Sequence, residues 1–480
     1  MKLLVPFGTR PEVIKLAPVV AELRRRGHAV RAVATGQHAD PDMSTAFHRD
    51  LGLEPDETWA LPDGDAARVG AMLTKAYEEL AACPVDAVMV VGDTYTVPLL
   101  CLAARRHAVP VIHLEAGLRS LNATSMEEVN RTVAGATASL HLAPTERAAT
   151  FLCAMGVGHH RIKVVGNPVL DAVRLLGVPR PAHEHRSGVL ITAHRPGNVD
   201  DPERLATVVR IVERLACMAK VTFPVHPRTR AALDRHRLAD RLLAVPGVEV
   251  LPPVPYSRML ELVACSSLVV TDSGGLQEEA SWYGVPVVVL RRSTPRWEGV
   301  DDGTSILAGL DERRVGAAAS RLLDPAEQAR VAAVPCPYGD GHTAHRVCDV
   351  LEDPAAAAYH LAANRVSLVG RHAQLQQYQF ALQVLAASHI EQVHDIDQLV
   401  QLVDDLLDDE VRTLGDQSQS GHRRVIGRCD RQRFDVIATA GEQSRHPGEC
   451  TGLVLQQDGD DVTHENPEKT APKEAPVAAE

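Results

Sequence analysis

The chain has 480 residues, more than a single hydrophobic core organises well, so two or three domains are expected. Hydrophobic residues make up 45% and aromatic residues only 3%, which assigns the core to Ala, Val and Leu and suits buried parallel strands under helices. A net charge of −12 speaks against a general nucleic-acid binder while allowing a local basic cleft for a small anion, and no apolar run approaches the roughly 20 residues of a membrane helix.

The N-terminal MKLLVPFGTRPE is too short an apolar run for a signal peptide and breaks at once into Gly and Pro. Nine scattered cysteines without a C-x-x-C read as reduced thiols, and a cytoplasmic protein is expected. Short β-branched runs at 3–7, 29–35, 87–91, 109–114 and 162–165 read as strands. Between the first two, Val13, Leu16, Ala17, Val20 and Leu23 recur at helical spacing, and Pro18 is expected to kink or restart that helix. Residues 177–188, GVPRPAHEHRSG, read as a linker. A second series of strands follows at 189–192, 221–225, 248–251, 268–271 and 285–290.

The expected fold is therefore α/β, with two similar halves, 1–176 and 177–354, each built on a parallel sheet. A cleft between them, beyond the carboxyl ends of the strands, is where a ligand belongs. The last coherent helix is 343–351. Beyond it, 355–480 reads as an extension. It holds one amphipathic helix pattern (Val393, Ile396, Val400, Val403, Leu407) and a tail with the composition of disorder.

Two loops invite an anion. In VVTDSGGLQEEA a strand runs into Ser273, Gly274 and Gly275 and then a helix. Unpaired N–H groups and the helix dipole face whatever sits ahead of that helix. In FGTRPEVIK, Arg10 offers a forked contact and Lys15 a point charge one turn later. Taken alone, Ser-Gly-Gly is also a plain capped turn, and Arg10 and Lys15 are also ordinary surface cations. Two such loops, one per half, favour the anion.

FGTRPEVIKLAPVV, VVGDTYTV, HLEAGLRS, EEVNR, LAPTERA, VVGNPVLDA, TAHRPGN, FPVHPRT and TDSGGLQEEASWYGVPVVVLR, in this order and spacing, resemble the UDP-N-acetylglucosamine 2-epimerase family over about residues 1–352. The resemblance implies a GT-B architecture of two Rossmann-like halves. It implies interconversion of UDP-N-acetylglucosamine and UDP-N-acetylmannosamine, as in cell-envelope polysaccharide synthesis, by elimination of UDP to a 2-acetamidoglucal and re-addition. A hydrolysing branch of the family releases UDP and free N-acetylmannosamine instead. Such chemistry needs acid, base and anion stabilisation, and neither nicotinamide nor metal. No cofactor is expected; the partner is a UDP-sugar, not nucleic acid or membrane, and the state a homodimer.

By the same resemblance Asp93, Glu115 and Glu127 form the acid/base group, and His194 lies near the diphosphate or sugar. Arg10, Lys15, Ser273, Gly274 and Gly275 become diphosphate contacts, Glu279 the ribose contact, and His226 matches the family pattern. Arg119, four residues past Glu115, is read as steadying the carboxylates or the diphosphate, or else as a surface ion pair. Three clustered carboxylates are expected to raise at least one pKa. Glu278 is read as a first-turn charge on another face of the helix from Glu279.

The chain departs from the family pattern at GQHADPDMS, at NATSM in place of Pro-Trp-Pro, at Pro196 and Gly197 after TAHR, and at TPRWE. The first lacks an Arg and a Gln that serve a second, allosteric UDP-N-acetylglucosamine site in the non-hydrolysing bacterial branch. The others border the sugar and lid regions. A GT-B glycosyltransferase or a non-catalytic nucleotide-sugar sensor are the competing classes. The ordered carboxylates at 93, 115 and 127 speak against both.

Overall fold

A computed structural model describes residues 1–37, 51–122 and 125–353, and three backbone strands within 423–457. Among these residues the first lobe holds a seven-stranded parallel sheet in the order β3-β2-β1-β4-β5-β6-β7. Its strands are β1 Lys2–Phe7, β2 Ala29–Ala34, β3 Glu57–Thr58, β4 Ala87–Val91, β5 Val111–Leu114, β6 Leu140–Ala143 and β7 Ile162–Val164. The second lobe holds a six-stranded sheet in the order β10-β9-β8-β11-β12-β13. It comprises β8 Val189–Thr192, β9 Val221–Pro224, β10 Val248–Leu251, β11 Leu268–Thr271, β12 Val287–Val289 and β13 Ser305–Leu307.

Both orders reverse direction beside their first strand, between β1 and β4 and between β8 and β11. A doubly wound sheet opens a crevice at that reversal, outside the carboxyl ends of its strands. The loops after β1, β4, β8 and β11 are the ones that carry Arg10, Asp93, His194 and Ser273. Central strands such as β4 and β11 are short, buried on both faces and rich in Val, as parallel strands under two helical layers must be. The expected strands are present. The sequence reading did not name β3, β6 or β13.

Helix Arg10–Arg25 runs through Pro18 without a restart. Pro18 is itself buried, so packing of Val13, Leu16, Val20 and Leu23 into the β-sheet core outweighs one missing N–H. The expected domain boundary at 354 gave helix Thr343–Glu352 to the second half. Its Val347, Cys348 and Leu351 instead pack in the first-lobe core with Leu3, Val5 and Leu16. The chain thus crosses back to the lobe it began in.

No helix among the described residues is long and apolar enough to cross a membrane. The expected 393–407 helix and the tail lie outside the described residues. Within the extension, β14 Arg423–Cys429, β15 Gln432–Ala438 and β16 Val454–Gln457 form an antiparallel sheet in that order, which the sequence reading did not anticipate.

Candidate active site

At the end of β1 the chain turns through Gly8 and Thr9. A side chain at Gly8 would meet Thr35 Oγ1 at 2.5 Å and Thr96 Oγ1 at 2.8 Å, so only glycine fits. Glu12, one turn into the helix, accepts from Gly8 N at 2.8 Å, Thr9 Oγ1 at 2.9 Å and Thr94 Oγ1 at 2.7 Å. It fastens the first loop to the one after β4, where Asp93 lies. Burial pushes the Glu12 carboxyl up to about 7 against those three donors. Arg10 is exposed at the helix start, and its charge helps hold His226 of the other lobe low.

Asp93, Glu115 and Glu127 do converge, each with its own cation. Asp93 pairs with Arg131 of helix Met126–Thr137, and Asn130 Nδ2 of that helix donates to the Asp93 carbonyl at 2.8 Å. Glu115 follows β5 with φ of 60°, a left-handed conformation that a residue with a Cβ adopts only when its surroundings impose it. Its carboxylate, 1% exposed, pairs with Lys15, accepts from Asn167 Nδ2 at 3.3 Å and lies 3.6 Å from Arg296 Nη2. Glu127 accepts from Ser125 Oγ and from Arg195 Nη1, the latter at 3.1 Å across the lobes.

The sequence reading expected crowding to raise one of these three carboxyls. All three are instead lowered. Burial acts upward on each. For Asp93 it is outweighed by Arg131, Lys15, Arg296 and Arg195, and for Glu115 by Lys15 and Arg296. For Glu127 the Ser125 hydroxyl and Arg195 act downward. Raised carboxyls do lie nearby: Glu12, already described, and Glu278 and Glu279, one helix away.

That helix, Gly274–Tyr283, starts at β11. Ser273 caps it, with Oγ 3.5 Å from Leu276 N. A Cβ on Gly274 would lie 3.0 Å from Arg296 Nη1, whereas one on Gly275 would touch Glu279 Oε1 at an ordinary 3.7 Å. Glu279 is buried, accepts from the Tyr256 hydroxyl at 2.8 Å, and is pushed up to about 7 by burial. Glu278 is not the first-turn charge that was expected. It is fully buried, and its Oε1 accepts from Arg296 Nε at 2.8 Å and Asn167 Nδ2 at 2.9 Å. The helix is sunk on both sides, so Glu278 and Glu279 face different buried environments.

His194 follows β8. Its backbone N–H and that of Arg195 donate to the wholly buried Asp272, at 3.1 and 2.9 Å, and Asn198 Nδ2 adds a third donor at 3.0 Å. His194 Nδ1 lies 3.3 Å from Asp272 Oδ1, and its ring centroid lies 5.3 Å from that of His226. Burial lowers both imidazoles, His226 to about 4, so the pair is neutral near pH 7 and adds no charge to the site.

Arg119 is not among the carboxylates. Its guanidinium is buried against the Leu118 carbonyl at 2.9 Å and the Met155 sulfur at 2.6 Å, and its own carbonyl accepts from Trp297 Nε1 at 2.9 Å. It is not the surface ion pair of the sequence reading, and its guanidinium bonds to Leu118 and Met155 rather than to Asp93, Glu115 or Glu127. The cations that surround the carboxylates are Lys15, Arg131, Arg195 and Arg296, and of these only Lys15 was singled out. Asn167 was also missed, and Glu278 was read only as a first-turn charge. The departure TPRWE retained Arg296, and that retained charge was the available signal.

The facing Rossmann-like lobes, with a capped helix opposite a carboxylate cluster, define a GT-B-like nucleotide-sugar enzyme class. The chain belongs to the UDP-N-acetylglucosamine 2-epimerase family, whose model matches residues 21–352. It is 34% identical over 367 residues to the UDP-N-acetylglucosamine 2-epimerase of Methanocaldococcus jannaschii, spanning 73% of this chain and 99% of that one. It is 36% identical over 371 residues to the Bacillus subtilis UDP-N-acetylglucosamine 2-epimerase, spanning 73% and 95%. A crystal structure of the M. jannaschii UDP-GlcNAc 2-epimerase in complex with UDP-GlcNAc and UDP superposes with a TM-score of 0.67 at 33% identity, covering 73% of this chain and 99% of that one. The Neisseria meningitidis UDP-GlcNAc 2-epimerase bound to UDP-GlcNAc gives a TM-score of 0.67 at 29% identity, covering 73% and 99%.

Proposed function

We propose that the chain interconverts UDP-N-acetylglucosamine and UDP-N-acetylmannosamine. The observation that carries this reading is the set of ionised carboxylates Asp93, Glu115 and Glu127, each held by a cation, at the crevice faced by the Ser273 helix cap. Ionised carboxylates serve as bases, and the lysine and arginines among them suit a diphosphate leaving group.

In this reading one carboxylate removes the C2 proton while the C1–oxygen bond to UDP breaks. A 2-acetamidoglucal and UDP remain bound. A proton delivered to the opposite face of C2, with return of the UDP oxygen to C1, gives the epimer. Arg10, Lys15, Ser273, Gly274 and Gly275 hold the diphosphate, Glu279 accepts from the ribose hydroxyls, and neutral His194 and His226 donate nearby. Arg119 supports the wall through Trp297 rather than touching substrate. Domains 1–176 and 177–354 act as the two jaws, with helix Thr343–Glu352 tying the second back to the first.

Product analysis after incubation with UDP-N-acetylglucosamine tests the reading. UDP-N-acetylmannosamine is the expected product. Stoichiometric UDP with free N-acetylmannosamine would assign the hydrolysing reaction instead. The same reading carries a cytoplasmic homodimer that needs no metal; light scattering and turnover after chelation test its last two parts.

A further inference from the structure

Epimerisation through a glycal has a proton requirement that the three ordered carboxylates do not meet. One group must begin ionised to take the C2 proton, and another must begin protonated to return one on the other face. Asp93, Glu115 and Glu127 are all held ionised by neighbouring cations.

We propose that Glu115 and Glu278 form a carboxyl pair sharing one proton, held on Glu278 in the resting protein and passed to Glu115 for delivery to C2. This rests on the epimerase reading above. The two side chains come from different lobes and are 1% and 0% exposed. They share two donors. Asn167 Nδ2 lies 3.3 Å from Glu115 Oε2 and 2.9 Å from Glu278 Oε1. Arg296 reaches Glu278 Oε1 with Nε at 2.8 Å and Glu115 Oε1 with Nη2 at 3.6 Å.

The proton has one place to sit on Glu278. Oε1 faces two N–H donors, so an O–H there would oppose them. Oε2 is buried and has no hydrogen-bond partner among the described residues. A bare carboxylate oxygen in such a position is costly, and a protonated one far less so. The groups facing Glu278 are Lys15, Glu115 and Arg296 from other elements, and Glu279, Cys336 and Tyr338 nearby. Burial and the Glu115 charge raise Glu278, while Arg296 and Lys15 only partly oppose them. Lys15 pairs directly with Glu115. The same two cations therefore leave the charge on Glu115 and the proton on Glu278.

Substrate supplies the trigger. Lys15 is an expected diphosphate contact and is paired with Glu115. When a diphosphate draws Lys15 away, Glu115 loses its nearest cation and its proton affinity rises. The Glu278 carboxyl then turns its Oε2–H onto Glu115, that O–H breaks as an O–H forms on Glu115, and the negative charge is left on Glu278 beside the Asn167 and Arg296 donors. Glu115 gives that proton to C2 of the glycal as the UDP oxygen bonds to C1. The proton removed from the substrate rests on Asp93 or Glu127 and returns to the pair before the next cycle.

Glu278→Gln is the decisive variant, because an amide reproduces the protonated carboxyl. Its oxygen can accept from Asn167 and Arg296, and its NH₂ takes the Oε2 place, so folding should survive. If wild type does not convert UDP-N-acetylglucosamine, the epimerase reading itself fails. With wild type active, E278Q is expected to bind UDP within about threefold of wild type and to epimerise at least ~100-fold more slowly, the scale of a lost acid. Wild-type turnover should fall on the alkaline side as the stored proton is lost, and that limb should vanish in the residual activity of E278Q. Turnover within threefold of wild type, or a slow variant that keeps the alkaline limb, would overturn the shared proton. A single turnover of C2-deuterated substrate in H₂O by excess wild-type protein gives a second check. Hydrogen at C2 of the epimer is expected, and retained deuterium would show that no separate proton store exists.

Discussion

Arg195 Nη1 lies 3.1 Å from Glu127 Oε1, and the two residues belong to different lobes. Arg195 stands in the loop after β8, held by Asp272 through its backbone N–H, while Glu127 opens helix Met126–Thr137. The pair is partly exposed, so its direct contribution to stability is small, about 0–1 kcal/mol. Its consequence is placement: Arg195 adds a contact from the second lobe to a carboxylate that Ser125 holds from the first. Arg195→Gln is therefore expected to leave the melting temperature nearly unchanged and to lower turnover about tenfold or more. Unchanged turnover at saturating substrate would remove the contact from the mechanism.

Asp93 is ionised because four cations outweigh its burial. Asp93→Asn should retain UDP affinity and lose at least ~100-fold in turnover, the range for a general acid or base. Folding should persist, since Arg131 keeps Glu128 as a partner at 3.1 Å. UDP titration beside steady-state kinetics reads both quantities.

Glu279 carries a pH dependence of defined sign. Burial raises it to about 7, so it is protonated below that pH and ionised above it. Only the ionised form accepts freely from two ribose hydroxyls. UDP affinity should weaken as pH falls through about 7, and Glu279→Gln should bind about tenfold more weakly at pH 8 and show less of this dependence. Calorimetric titration of both proteins between pH 6 and 8 separates this effect from the titration of UDP itself, which the two share.

The two glycines should respond differently to alanine. At Gly274 the new methyl meets the Arg296 guanidinium at 3.0 Å, and Arg296 holds Glu278 and Glu115. Gly274→Ala should therefore lower both melting temperature and turnover. At Gly275 the contact is ordinary, and alanine is the better helix residue by about 0.5–1 kcal/mol. Gly275→Ala should melt at or above wild type, whatever it does to UDP binding.

Ending the chain after Asp353 should leave turnover within a few fold of wild type, because the site is built from residues up to 296. Removing helix Thr343–Glu352 as well should collapse the first lobe, whose core contains Val347, Cys348 and Leu351. Circular dichroism and turnover of the two truncations distinguish these cases.

Much of this was legible in the sequence because parallel strands announce themselves as short Val-rich runs, and strand-to-Gly turns mark the loops that face the crevice. The four- and three-residue strands β6 and β13 escaped because one shows little β-branched character and the other is barely a run. Asp93, Glu115 and Glu127 were named and lie together in the fold; their charge states were not foreseen. Those depend on Arg131, Arg195 and Arg296, which arrive from other elements and, for two of them, from the other lobe. Glu278 was misread for a different reason. Helical periodicity separates an inner face from an outer one, and helix Gly274–Tyr283 is buried around most of its circumference. Two adjacent glutamates in such a helix are both interior, and each needs its own neighbours.

The most direct measurement is NMR of UDP-N-acetylglucosamine turnover in D₂O with the purified full chain. The expected result is UDP-N-acetylmannosamine deuterated at C2, with deuterium entering recovered substrate as equilibrium is approached. Turnover that leaves the C2 hydrogen in place would contradict proton abstraction by the carboxylate cluster, and with it the central claim.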